Sequence, residues 1–206
     1  PTWNRAKSLG AAIQSALDQT YAVSEILVCD DGSTDNTRQV VSEFNSKIVR
    51  FIEGPRAGRP AVPRNRGLSN ARGKWIAFLD SDDTWMPEKI EKQLLDLQRT
   101  GMQASCTNAL RITPGKNSAS PYLNNTESFF TLDTLLKTNY VVCSSCIVSK
   151  SLLDITGGFP EEEQLRAIED FALWLRVATI TNFCYTQEPL ATYADDATNS
   201  IRSGIK

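Results

Sequence analysis

The chain has 206 residues, 41% hydrophobic and 22% charged, a balance that specifies a folded globular polypeptide rather than a disordered one. Its formal net charge of -2 provides no global attraction to nucleic acid, and no apolar run approaches the ~20 residues that span a bilayer. Histidine is absent, which excludes Ser-His-Asp and Cys-His catalysis and histidine-ligated zinc and leaves proton transfer near neutral pH to carboxylates.

Leu9, Ile13, Ala16 and Leu17 recur at helical spacing and predict a helix over 5–19. Residues 25–29 read as a short buried strand and 30–36 as a turn. Thr34 or Asp35 would cap a helix running to about residue 45. A strand over 48–52, a loop to residue 63 and a short helix over 64–71 follow. Residues 74–79 form a strand, and Pro87 opens a helix to about residue 100. This alternation of strand and helix predicts a mostly parallel sheet flanked by helices. The second half is less regular: strands over 103–113 and 141–149, a helix over 129–138, a turn at 157–160, a helix over 167–178 and a strand over 182–186. The stretch after Pro189 is polar and reads as a flexible tail. With no repeat and no linker, the expectation is one domain over 1–206, with functional halves 1–100 and 101–206.

The five cysteines are odd in number and irregularly spaced, as in a reduced cytoplasmic protein. Cys143 and Cys146 form a CxxC, but they lie in the apolar run VVCSSCIV, which reads as a strand with small residues.

Chemistry concentrates in two acidic clusters that each follow an apolar run. In LDSDDTWMP (79–87), Asp80 and Asp82 are two residues apart, so an extended backbone would present both to one side. Paired carboxylates suit Mg²⁺ or Mn²⁺, which complete their shells with phosphate and water. In CDDGSTDNT (29–37), a carboxylate would accept hydrogen bonds from a base or ribose, with Gly32 allowing close backbone approach. An ordinary turn and helix cap would produce the same residues. Arg56, Arg59, Arg64, Arg66 and Arg72 lie between the clusters; one or two would face a diphosphate, and the others are surface charge. Glu169-Asp170 opens an apolar helix, where acidic residues are favourable in any case, and is also a candidate general base. No GxxxxGK[ST] loop and no GxGxxG after a strand is present.

The order of these blocks, from PTWNRAKSLGAAIQSALDQTY through CDDGSTDNT and PRNRGLSNARGKWIAFLDSDDTWMPEKI to GGFPEEEQLRAIEDFALWLRV, resembles the family-2 glycosyltransferases of GT-A fold. Those are inverting enzymes that use nucleotide sugars. The resemblance implies that Thr2 and Asn4 line a base pocket, Asp31 contacts the nucleoside and Arg64 lies near the base or diphosphate. It also implies that Asp82 binds the metal, that Asp80 supports the ribose or metal side, and that Asp170 is the base with Glu169 beside it. The implied donor is a nucleoside diphosphate sugar, with a UDP-sugar favoured, and the cofactor is Mn²⁺ or Mg²⁺. The implied acceptor is a carbohydrate or lipid-linked hydroxyl in polysaccharide or glycoconjugate synthesis. The implied location is cytoplasmic, with peripheral association at the inner membrane face. Two departures stand out. The apolar strand that precedes the PTWN block in the family has no counterpart in this sequence. The histidine that often follows a tyrosine near the C-terminus is missing from Tyr193–Ser200, where Arg202 is the nearest replacement. Two other readings fit parts of the pattern: a sugar-nucleotide nucleotidyltransferase, for which PTWNRAKSLG is a poor glycine-rich loop, and a non-catalytic nucleotide-sugar-binding module.

Overall fold

The computed structural model describes residues 1–113, 119–124 and 126–196, and its first helix follows from apolar spacing: Leu9, Ala12, Ile13 and Ala16 are buried on one face of α1 (Ala6–Leu17). No side chain of its own caps this helix; Asp35 accepts the Ala6 N–H at 3.1 Å. β1 (Ile26–Cys29) leads through the acidic turn and α2 (Thr37–Glu43) to β2 (Val49–Ile52), which pairs with β1 in parallel. Thr2 sits on the opposite edge of β1, donating to the Cys29 carbonyl and accepting from the Asp31 N–H, both at 2.9 Å. Next come α3 (Ala61–Asn70), β3 (Trp75–Ala77), β4 (Thr84–Trp85) and α4 (Lys89–Thr100), which Gly101 terminates at φ 70°.

The remaining elements are β5 (Ala104–Ile112), β6 (Ser120–Pro121), β7 (Phe129–Phe130), α5 (Leu132–Leu135), a 3₁₀ turn at Cys143–Ser145, β8 (Ile147–Ser149), α6 (Lys150–Thr156), a 3₁₀ turn at Glu163–Leu165, α7 (Glu169–Ala178) and β9 (Phe183–Ala194). Strands β3, β8, β5, β9 and β4 lie side by side in that order, with β6 against β5 and β7 against β9. The core below this sheet is aromatic: Trp174 is flanked by Phe78, Phe159 and Phe183, with ring centroids 5.8–6.0 Å away.

The α/β class holds, but strand directions are mixed rather than mostly parallel. β1–β2 and β5–β9 are parallel, whereas β8 runs antiparallel to both β3 and β5, and β4 antiparallel to β9. The reason is β8, which inserts between β3 and β5. The sheet is also divided. Among the described residues no strand joins β1 to β3, and between them lies an apolar cavity of about 400 Å³ lined by Ile13, Val28, Leu68, Ile76 and Phe78 among others.

Several local expectations change. The helix expected over 129–138 is a strand pair followed by the short α5, because Phe129 and Phe130 pair with β9. The strand expected over 141–149 is half 3₁₀ turn, and α6 directly after it was not anticipated. The stretch after Pro189 is no free tail up to Ala194: it continues β9, with Pro189 accommodated where the β5–β9 register shifts opposite Asn108. Arg202 lies outside the described residues.

Candidate active site

Four segments converge at one end of the sheet: the acidic loop 78–83 after β3, the start of α3, the N-terminus of α7 and the strand-like start at Thr2. β3 ends at Ala77, so the acidic loop is a turn rather than an extended segment, and strand alternation is not what aligns Asp80 with Asp82. The turn is closed by the Asp83 N–H donating to the Asp80 carbonyl at 3.1 Å.

Arg64, buried on α3, joins the acidic loop to the helix that carries the proposed base. Its guanidinium donates to Asp80 Oδ1 and to Glu169 Oε1, each at 2.7 Å. This bidentate use of the fork suits a buried cation between two anions. Burial works against the Asp80 carboxylate, but the charge and hydrogen bond of Arg64, together with the N-terminal amine and Arg5, hold that carboxyl below the usual range. Glu169 is itself buried, and its Oε2 has no hydrogen-bond partner.

Asp170 is pushed up to about 6, chiefly by burial, with Arg64 opposing and Glu169 and Asp80 adding like-charge repulsion. It therefore feels the charge of Asp80 in the acidic loop. Asp82 is exposed and pairs with Arg5 at 3.4 Å. Its carboxyl is raised by partial burial and then by the neighbouring Asp80 charge. These two carboxylates offer hard oxygen donors that repel one another, and no soft ligand accompanies them. That chemistry fits a Mg²⁺- or Mn²⁺-type ion whose remaining ligands come from phosphate and water. Among the described residues, no group of three or more His, Cys, Asp or Glu could hold a metal unaided.

The DDGS turn is occupied differently. Asp30 accepts the N–H groups of Gly32 and Ser33 at 3.0 and 2.9 Å, and the Ser33 hydroxyl. Asp31, expected at a nucleoside, is buried and clamps the loop 56–58, accepting from Ala57 N–H at 2.8 Å, Gly58 N–H at 2.9 Å and the Arg56 guanidinium. Arg56 lies over the exposed Trp3 ring, 3.8 Å from its centroid. Asn4 adopts φ 50°, accepts from Thr34 N–H at 2.8 Å, and donates its own N–H to Ser33 Oγ at 2.9 Å. It builds the rim by holding the turn. The Thr2 hydroxyl is buried without a partner.

Of the predicted site residues, the structure thus brings Asp80, Asp82, Arg64, Glu169 and Asp170 together, and places Thr2, Asn4 and Asp31 along the adjoining β1 edge. Arg64, expected near the base or diphosphate, spends both terminal nitrogens on carboxylates in this structure, bridging the acidic loop and α7. Arg59 and Arg66 are likewise engaged with the backbone carbonyls of Glu161 and Asp30. Sequence reasoning missed Arg5 as the partner of Asp82, Trp3 as a platform, and Ser144, whose hydroxyl receives the Asp80 N–H at 3.0 Å. All three act across long sequence separations, where no local pattern signals a contact.

Comparison with known proteins bears on the family and the fold. The family description "Glycosyl transferase family 2" matches residues 1–154. The chain is 33% identical over 182 residues to the Escherichia coli UDP-Glc:alpha-D-GlcNAc-diphosphoundecaprenol beta-1,3-glucosyltransferase WfgD, covering 88% of this chain and 69% of that protein. It is 28% identical over 177 residues to the putative teichuronic acid biosynthesis glycosyltransferase TuaG of Bacillus subtilis, covering 85% and 68%. Among solved structures, S. aureus TarS 1–349 in complex with UDP-GlcNAc superimposes with a TM-score of 0.82 at 20% identity, covering all of this chain and 60% of that one. The Pyrobaculum calidifontis mannosyltransferase PcManGT, in complex with GDP-Man and Mn²⁺, gives a TM-score of 0.71 at 18% identity, covering 94% and 55%. The chain thus spans somewhat more than half the length of the solved proteins that share its fold, and about two thirds of the two sequence relatives.

Proposed function

From the premise that the chain belongs to glycosyl transferase family 2 and is a glycosyltransferase of GT-A fold, we propose that it moves a sugar from a nucleoside diphosphate sugar to an acceptor hydroxyl with inversion. One observation carries this reading: Arg64 ties the acidic loop at Asp80 to Glu169 at the start of α7, which brings an ionisable Asp170 within electrostatic reach of Asp80.

Asp170 takes the proton of the acceptor hydroxyl. The acceptor oxygen forms its bond to the anomeric carbon as the bond from that carbon to the diphosphate oxygen breaks, and the nucleoside diphosphate departs on the opposite face. A general base of this kind contributes roughly 10²–10⁴-fold. A divalent cation bound by Asp82 and Asp80 would supply charge neutralisation for the leaving diphosphate. Arg64 and Glu169 hold the base helix against the acidic loop. Residues 1–100 would bind the donor, with Thr2, Asn4 and Asp31 on the nucleoside side, and residues 101–206 the acceptor. A nucleoside N–H reaching Asp31 would displace Arg56, which leaves the carboxylate its backbone donors.

A UDP-sugar is the favoured donor and a lipid-linked or carbohydrate hydroxyl the favoured acceptor, in polysaccharide or glycoconjugate synthesis, because the relatives named above carry UDP-glucose, diphosphoundecaprenol or teichuronic acid in their names. Among the described residues no helix is long and apolar enough to cross a membrane. A cytoplasmic protein working at the inner membrane face is the reading proposed.

Thermal unfolding with a panel of nucleoside diphosphates, with and without Mn²⁺, tests the donor site. A ligand at ~100 times its dissociation constant adds about 2.7 kcal/mol. One nucleotide stabilising only with metal, and not in Asp82→Ala, is the expected result. No shift with any nucleotide would refute the donor site. Asp170→Asn is expected to bind the same nucleotide and to lose roughly 10²–10⁴-fold in turnover.

A further inference from the structure

In the run VVCSSCIV both cysteines are buried free thiols, and burial pushes both well above their usual range. Its middle, the 3₁₀ turn Cys143–Ser145, nevertheless lies directly under the acidic loop. Phe78 N–H donates to the Cys146 carbonyl at 3.2 Å and Asp80 N–H to Ser144 Oγ at 3.0 Å. The Ser144 hydroxyl donates onward to Asp83 Oδ2. Since Asp83 N–H donates to the Asp80 carbonyl, the loop and Ser144 close a ring of hydrogen bonds. Asp83 Oδ1 accepts a further bond from Ala194 N–H at 2.8 Å, at the end of β9.

The ledge is fixed from below. The Ser144 carbonyl accepts from the Trp85 indole N–H at 2.7 Å, and the Ser145 carbonyl accepts from Gln93 Nε2 at 3.1 Å. Ser144 and Ser145 are fully buried, and the Ser144 hydroxyl both accepts and donates there. The loop's three aspartates consequently divide: Asp83 is consumed by Ser144 and Ala194, while Asp80 and Asp82 point at one arginine each.

We propose that Ser144 is a positioning residue for the donor site: by receiving the Asp80 N–H and donating to Asp83, it fixes the turn that aims the Asp80 and Asp82 carboxylates. The proposal rests on the metal-and-nucleotide reading of those two aspartates given above. It assigns the second half of the chain a part in donor binding.

The test compares wild type with Ser144→Ala, Asp83→Asn and the double variant. Amide exchange across 78–86 is read without ligand, and the affinity for UDP in the presence of Mn²⁺ is read by titration. Loss of one buried hydrogen bond corresponds to about tenfold in an equilibrium constant. Ser144→Ala is expected to speed exchange at Asp80 and Asp83 and to weaken Mn²⁺-dependent UDP binding by about that factor. The double variant should fall short of the product of the single effects, because both substitutions open one ring. Ser144→Thr, which returns the hydroxyl, should recover part of the affinity. Exchange unchanged in Ser144→Ala, or a lowered melting temperature with UDP affinity kept, would overturn the proposal. A wild type that binds no UDP with Mn²⁺, while Ser144→Ala still frees the loop, would instead refute the donor-site reading and leave the brace standing.

Discussion

The two acidic clusters are alike in sequence and opposite in state. Both follow an apolar strand and both contain three aspartates within seven residues of that strand's end. In the turn after β1, all three are saturated: Asp30 by Gly32, Ser33 and the Ser33 hydroxyl, Asp31 by Ala57, Gly58 and Arg56, and Asp35 by Ala6 and Thr37. In the loop after β3, only Asp83 is filled by fixed donors, and Asp80 and Asp82 each hold a single arginine. A carboxylate bonded to backbone N–H groups is committed to structure, since releasing them leaves buried donors unpaired. A carboxylate bonded to one side chain keeps lone pairs for a ligand. Composition creates both; the number of fixed donors within reach sets how much of each carboxylate stays open to a ligand.

The contrast can be broken by exchanging the consequences. Asp31→Ala removes a buried acceptor from two N–H groups and an arginine, and is expected to cost about 3 kcal/mol, read as a lower midpoint in urea. Asp82→Ala is expected to leave the ligand-free midpoint within about 0.5 kcal/mol of wild type while abolishing Mn²⁺-dependent nucleotide binding. Equal stability losses in the two variants would erase the distinction.

The base gives the contrast a pH axis. Because Asp170 is held at about 6 by burial and like charge, its basic form is lost as pH falls below that value. Activity as kcat/KM should decline by about tenfold per unit below pH 6. An acid limb near 4 would place the base elsewhere. Stability has its own marker in Lys89. This buried amine donates to Gln93 Oε1 at 2.6 Å, sits over the Trp85 ring and, through burial, is lowered to about 7. Between pH 7 and 10.5 the unfolded chain binds a proton there that the folded chain does not, so this group raises stability as pH rises through that window. Lys89→Met should flatten that rise; a slope identical to wild type would refute it. A smaller loss than that of Asp31→Ala is expected of Asn4→Ala, which removes an acceptor from the turn at 33–35 and costs about 1 kcal/mol, read as the midpoint in urea.

How much of this was legible depended on distance along the chain. α1 and α4 follow from apolar spacing, and the alternation to residue 100 follows from strand length and turn residues. α6 escaped notice because its seven residues continue an apolar run; the helix begins where Ser149 caps Leu152 N–H at 3.3 Å. β9 escaped because Pro189 reads as a breaker, whereas the register shift opposite Asn108 absorbs it. For the site, Asp80, Asp82, Glu169 and Asp170 could be chosen from their types and spacing. Their division of labour could not, since Arg64 meets Glu169 across 105 positions and Ser144 meets Asp83 across 61.

The cavity between β1 and β3 is bordered by side chains of α1, β1, α3 and β3. Hydrogen bonding across the sheet is interrupted there among the described residues, and the two sides communicate instead through contacts such as Arg5–Asp82, Gln19 with Met86 and Ile90, and Glu25 with Arg72 and Gly73. A donor reaching from the Asp31 side to the Asp82 side would add a further link between the two sides.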